Sequence, residues 1–288
     1  MRSASAINAT AITTTTPLPT TIERFAFTTA LLYGSYAHMP VELAPWLARL
    51  EARHLANLQF PEVSRALRAL SSAYVERRHT AIAAGRVLDG AGKRAAFALY
   101  YGPLHFLATE HILSEVLGGQ ADAVGARPVI DLGCGTGSIG AAAAAVMGAR
   151  TVLGIDTHPW ALDEARDTYA AFGLSASLTR GSASRMRRPR SPSLIVAGYV
   201  ANEMPDAERH LLRDALVDAV RHGSRVLIIE PLSKSAAPWW PEWVKAFTPL
   251  GARADEWRLT LSPPPLVRRL GEAAGLTSTQ ANVRSLWV

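Results

Sequence analysis

The sequence predicts an α/β protein in which a mostly parallel sheet carries helices on both faces and follows a cap of α-helices. Three observations carry that expectation. From Arg127 onward, short apolar runs alternate with stretches of helical spacing, the order in which a parallel sheet and its crossover helices are laid down. Ahead of that point, from about Ile22 to Gly119, the pattern is helical. Between the two, Pro128 to Gly140 (PVIDLGCGTGSIG) reads as strand, tight glycine turn and helix start. The division expected is a leader over 1–21, a helical cap over 22–120 and a sheet domain over 121–288.

The leader, Ser3 to Thr21, is rich in Ala, Ser and Thr and carries Pro17 and Pro19, the composition of a disordered segment. It faintly resembles an organelle transit peptide in having no acid before Glu23, but Arg2 is its only basic residue. In the cap, Val41 to Leu58 places Leu43, Leu47, Leu50 and Leu58 among charges, and Pro61 to Gly85 repeats the habit with Val63, Leu67, Leu70 and Tyr74. Ala91 to Leu117 is a third helical stretch. Gly102-Pro103 should end or kink it, and the break gathers Tyr100, Tyr101, His105 and His111 just ahead of the glycine turn.

The strands expected are Val129 to Leu132, Thr151 to Ile155, Ala176 to Thr179, Leu194 to Ala197 and Val226 to Ile229, with later pieces near Arg258 to Leu261 and Asn282 to Trp287. His158 to Phe172 is a helix with Pro159 in its first turn and Gly173 as its stop. Pro205 to His222 is another, opened by Asp206 and Glu208 and closed by Arg221 and His222 in the sense that suits the helix dipole. Leu266 to Ala274 follows the break Pro263-Pro264-Pro265. Trp239 and Trp240 either wall a pocket or pack in the core.

Composition narrows the function classes. Hydrophobic residues make 49% and charged ones 19%, ordinary for a globular enzyme, and every long apolar run is interrupted before about 18 residues, so no membrane span is expected. A secretory signal layout is lacking, and the expected location is cytoplasmic. Cys134 is the only cysteine, which excludes a disulfide within the chain and a cysteine-held zinc or iron–sulfur centre; no metal is expected. The formal charge is +6, and setting aside Arg180, Arg185, Arg187, Arg188 and Arg190 leaves +1. Those five side chains make either a solvated loop or a contact for the phosphates of RNA, without interleaved aromatics to stack on bases.

Two ligands compete for the glycine turn. Gly135, Gly137 and Gly140 satisfy G-x-G-x-x-G, the dinucleotide fingerprint. Asp131 argues against it, because a carboxylate at the strand end repels a pyrophosphate and welcomes an ammonium group. Asp131-Leu132-Gly133-Cys134-Gly135-Thr136-Gly137 is complete as D-x-G-x-G-x-G, and it resembles the first motif of the class I S-adenosylmethionine (SAM) methyltransferases. The resemblance implies a Rossmann-like fold and SAM as cofactor, with Asp131 serving the methionine amine and Gly133, Cys134, Gly135 and Gly137 making room for it.

Asp156, followed by Thr157, ends the second strand; its two oxygens match the ribose diol, or it caps the helix that starts at Pro159. Gly181, Ser182 and Ala183 follow the third strand. Ser182 stands where the family commonly has an acid that contacts the adenine amino group, and it retains one hydrogen bond for that purpose. After the fourth strand, Tyr199 to Glu203 should border both cofactor and substrate. Glu203 is the first candidate for a base or substrate-orienting group, or a helix cap, with Tyr199 and Glu230 behind it and Asn202 beside it. Tyr101 and His105 are lid candidates, or helix packing. No N-P-P-Y or D-P-P-Y stands after the fourth strand, against methylation of exocyclic base amines, and no cysteine nucleophile stands there, against methylation at carbon 5 of a pyrimidine.

Tyr199 to Pro205 (YVANEMP), Val226 to Pro231 (VLIIEP) and the helical region Leu70 to Leu117 are similar to the methyltransferase-like family associated with assembly of the small ribosomal subunit. The function expected is SAM-dependent methyl transfer to an O or N nucleophile of RNA or a small molecule. The alternative is a ribosome-assembly or RNA-binding factor that keeps the fold with little turnover. The oligomeric state is open.

Overall fold

A computed structural model describes residues 43–76, 88–118 and 127–288, with the side chains of 73–76 omitted. The leader expected over 1–21 lies outside the described residues, as do the first residues of the cap. Seven strands form one sheet in the order β3-β2-β1-β4-β5-β7-β6. They are β1 (Val129–Leu132), β2 (Thr151–Asp156), β3 (Ser175–Arg180), β4 (Leu194–Gly198), β5 (Arg225–Pro231), β6 (Arg253–Thr260) and β7 (Gln280–Trp287). The first five pair in parallel, and β7 runs antiparallel to both β5 and β6. The chain order reverses at β1, whose neighbours are β2 and β4, so the carboxyl ends of these strands open a crevice.

The helices in chain order are α1 (Leu43–His54), α2 (Phe60–Glu76), α3 (Ala91–Ala96), α4 (Gly102–Leu117), α5 (Ser138–Met147), α6 (Pro159–Ala171), α7 (Asp206–Arg221), α8 (Trp240–Phe247) and α9 (Pro265–Ala274). β1 is buried along its whole length, and α5 is buried at eight of its ten residues. That explains why the segment is continuously apolar rather than amphipathic. One core lies on the α5 and α6 side and runs into the cap helices; the second lies under α7 and α8.

The cap is bolted to α6. The Trp46 indole N–H donates to Thr168 Oγ1 (3.1 Å), its ring meets Phe172 edge-on, and Arg53 pairs with Glu164 and Asp167. Trp239, Trp240, Trp243 and Phe247 pack in the second core. The break expected at Gly102-Pro103 takes another form: Phe97–Tyr101 winds as a π-helical turn, and α4 starts at Gly102 with Pro103 in its first turn. Proline needs no amide partner there, so it opens a helix instead of ending one. Among the described residues, no helix is long and apolar enough to cross a membrane.

Candidate cofactor and substrate site

The carboxyl ends of β1, β2, β3 and β4 and the π turn enclose a cavity of 460 Å³, within the range of small-molecule sites. Its floor is the glycine turn. Gly133, Gly135 and Gly137 have φ of +62°, +51° and +77°, a region that penalises any Cβ. Gly133 also lies so close to Val200 that an added Cβ would fall 2.3 Å from its Cγ2, so the turn is pressed against the end of β4.

Asp131 takes a different place from the one expected. Its carboxylate is buried behind the turn and does not line the cavity. Oδ2 accepts the Gly140 amide N–H and the Tyr169 hydroxyl, both at 2.8 Å, while Oδ1 has no protein partner. Burial raises its pKa to about 7 against those two hydrogen bonds. A strand that is buried on both faces leaves an inward side chain no route to the crevice. The α5 amide nearest the carboxylate is already committed to it. A pyrophosphate needs such amides free.

Asp156 does border the cavity. Its Oδ2 accepts the Gly135 amide N–H (2.9 Å) and its Oδ1 the His158 amide N–H (2.8 Å). Each oxygen keeps a second lone pair for a diol. The capping and binding readings of this residue are therefore compatible. Thr157, Gly181, Ser182 and Ala183 continue the same wall.

Opposite them, Phe97, Tyr101 and His105 enter from the π turn and α4. The His105 ring stacks on Tyr199 at 4.3 Å with 19° between planes. Burial lowers the imidazole pKa to about 4, leaving it neutral at physiological pH, and raises the Tyr199 phenol. Of the four residues expected together, Tyr100 lies in the core and His111 is exposed, its ring beside Trp257.

At the far end, Tyr199, Asn202 and Glu203 line the mouth. Beneath them Glu230 is fully buried; Oε1 accepts the Ala201 and Asn202 amides (3.0 and 3.3 Å) and Oε2 accepts Asn202 Nδ2 (2.7 Å). Its pKa is raised to about 8, chiefly by burial. Glu230 therefore shapes the turn that carries Asn202 and Glu203, and Glu203 itself is exposed. Arg185, Arg187 and Arg190 are exposed on the loop after β3, while Arg188 engages His222 and Asp218 and Arg180 donates to the Thr157 carbonyl.

Sequence reasoning missed Thr136, Ser138, His158 and Phe97, all of which line the cavity. Thr136 and Ser138 lie inside the motif and were open to notice. Phe97 reaches the site only through the π turn, which leaves no mark on helical periodicity. Thr136 Oγ1 is buried without a protein partner, a group of the kind a polar ligand would satisfy. With the left-handed glycines and the spare lone pairs of Asp156, it fits an amino-acid nucleoside. Among the described residues, no three His, Cys, Asp or Glu side chains are placed to hold a metal ion.

Comparison with known proteins agrees with this geometry. A family described as a methyltransferase domain matches residues 129–223. Ribosomal protein L11 methyltransferase from Laribacter hongkongensis is 32% identical over 140 residues, 46% of this chain and 42% of that protein. The Photobacterium profundum protein of the same name is 30% identical over 152 residues, 52% of this chain and 48% of that one. The matched stretches thus span less than half of each relative. A TehB-like SAM-dependent methyltransferase from Corynebacterium glutamicum covers 76% of this chain and 98% of its own, with 19% identity and a TM-score of 0.41. Residues 129–223 thus carry the match to a methyltransferase domain.

Proposed function

We propose that the whole chain is a SAM-dependent methyltransferase that acts on a nitrogen or oxygen nucleophile of RNA or a small molecule, presented between Tyr199, Asn202 and Glu203. One observation carries this reading: a single cavity joins the glycine turn and Asp156 to an aromatic wall and a carboxylate-lined mouth. Bound SAM supplies a methyl group already activated on a sulfonium. The chain has three tasks left: to align the acceptor, exclude water and take a proton where the acceptor carries one. His105 and Tyr199 form a flat apolar wall, Asn202 orients the acceptor, and Glu203 receives its proton. Glu230 fixes the turn that holds the last two in place.

The test follows labelled methyl transfer from SAM into RNA, protein and small-molecule fractions of a cell extract. The relatives' name makes a ribosomal protein preparation a natural addition. Transfer into one fraction is expected, with Glu203→Gln lowering the turnover number on the order of 10²-fold and leaving SAM affinity near its starting value. No transfer into any fraction, from protein that still binds the cofactor, would reject the enzyme reading. It would favour a ribosome-assembly or RNA-binding factor with little turnover, which the exposed Arg185, Arg187 and Arg190 support.

A further inference from the structure

Beyond Asp156 the cavity ends at Gly181, Ser182 and Ala183, and Gly181 has open space where a Cβ would stand. A nucleoside whose ribose sits at Asp156 places its base against this end. Ser182 is the hydroxyl there, and by itself a serine hydroxyl reads nothing: it turns to donate or to accept as the ligand requires. Here its proton is engaged within the protein. Ser182 Oγ donates to Glu208 Oε2 at 2.5 Å; Ser184 Oγ lies 2.8 Å from that oxygen and 2.8 Å from Ser182 Oγ, and its proton goes to the carboxylate, the stronger acceptor of the two. The Ser184 amide N–H lies at 3.3 Å from Ser182 Oγ, a weak claim on one lone pair, and with both hydroxyl protons on Glu208 the other is left for the cavity.

We infer that Glu208, from the first turn of α7, is a positioning residue that turns Ser182 into an obligate acceptor and thereby selects a base bearing an exocyclic amine over one bearing a carbonyl. Adenine offers an N–H donor to that lone pair. Hypoxanthine, its deaminated form, offers an oxygen, which would face an acceptor. The two hydroxyl donors hold the Glu208 carboxyl below the usual range, so it stays an anion across physiological pH. Charge-assisted hydrogen bonds of this kind are about twice as strong as neutral ones, which is why the hydroxyl does not turn away when a ligand arrives. The carboxylate is thus supplied from a neighbouring helix, through a hydroxyl.

The inference rests on the nucleoside of SAM lying in this cavity, and the test separates the two. Calorimetry on the full chain measures the affinities of S-adenosylhomocysteine and S-inosylhomocysteine for the wild type and for Glu208→Ala, Glu208→Gln and Ser182→Ala. The wild type should favour the adenosyl compound by about tenfold or more, the cost of one unmatched buried polar group. Glu208→Ala frees the hydroxyl to donate, so the ratio falls toward one, chiefly by a gain for the inosyl compound. Glu208→Gln keeps an amide oxygen as acceptor and retains most of the ratio. Ser182→Ala abolishes it. Equal loss for both ligands in Glu208→Ala, or an unchanged ratio, overturns the selection role and leaves Glu208 a structural tie. Failure of the wild type to bind S-adenosylhomocysteine at all overturns the cofactor reading, and this inference with it.

Discussion

The His105 imidazole lies flat against the Tyr199 ring, centroids 4.3 Å apart, and so joins the helical cap to the end of β4. Tyr199 has a φ of +60°, the only positive value at a non-glycine position among the described residues. That conformation costs about 1–2 kcal/mol. The stack, the burial and the hydrogen bond from the Tyr199 amide N–H to the Ile229 carbonyl (2.8 Å) hold it there. The strained residue faces the cavity, so its orientation is set by the cap rather than by the sheet alone.

His105→Ala should therefore act on the acceptor side of the cavity. We expect turnover to fall several-fold, in keeping with an aromatic pair worth about 0.5–1.5 kcal/mol, while S-adenosylhomocysteine affinity changes by less than about twofold. Tyr199→Phe keeps the ring and should leave the stack intact. Steady-state kinetics beside calorimetry checks both; an equal loss in turnover and cofactor affinity would contradict the division of the cavity into two ends.

Stability should depend on pH through Glu230. Its folded pKa of about 8 lies above its unfolded value, so the folded state holds an extra proton in between. The stabilisation is complete below the unfolded value near 4.5 and is lost as pH rises through about 8. Asp131, raised to about 7, acts in the same sense, whereas His105, lowered to about 4, acts in the opposite sense below about 6.5. The window from pH 6.5 to 8.5 isolates the carboxyls. There the wild type should lose about 2 kcal/mol through Glu230, and Glu230→Gln should flatten the curve by that amount, in denaturant titrations at several pH values. The glutamine can accept the two backbone amides, and a flip of Asn202 lets it donate in return.

Gly140→Ala tests the bracket behind the glycine turn. An added Cβ would stand 2.5 Å from Asp131 Oδ2 and 2.9 Å from its Cβ. The carboxylate must then leave the Gly140 amide, and we expect a loss of about 1–3 kcal/mol, read from thermal or denaturant unfolding. Gly181→Ala, with nothing near its Cβ, should be tolerated in the fold and felt only by the ligand. Equal destabilisation by both would contradict these packing assignments.

The β1 strand, the glycine turn and α5 were legible because local physics decides them: a buried run, left-handed glycines and an alanine-rich helix each leave a mark within a few residues. β1 was placed to the residue, and α6, α7 and α9 to within one or two at each end. The antiparallel return of β7 between β5 and β6 left no such mark, since pairing partners are settled by the whole sheet. The motif named Asp131 but not the direction of its side chain, which depends on Tyr169, 38 residues away. Likewise the partner of Ser182 stands on another helix, 26 residues on, and no spacing rule joins Ser182 to Glu208.

Titration of the full chain with S-adenosylhomocysteine and, separately, with NADH tests the identity of the ligand most directly. One equivalent of the nucleoside amino acid should bind. NADH should give no heat of binding, because Asp131 and Asp156 already occupy the Gly140, Gly135 and His158 amides that a diphosphate would need. Saturable NADH binding with no response to S-adenosylhomocysteine would contradict the SAM site.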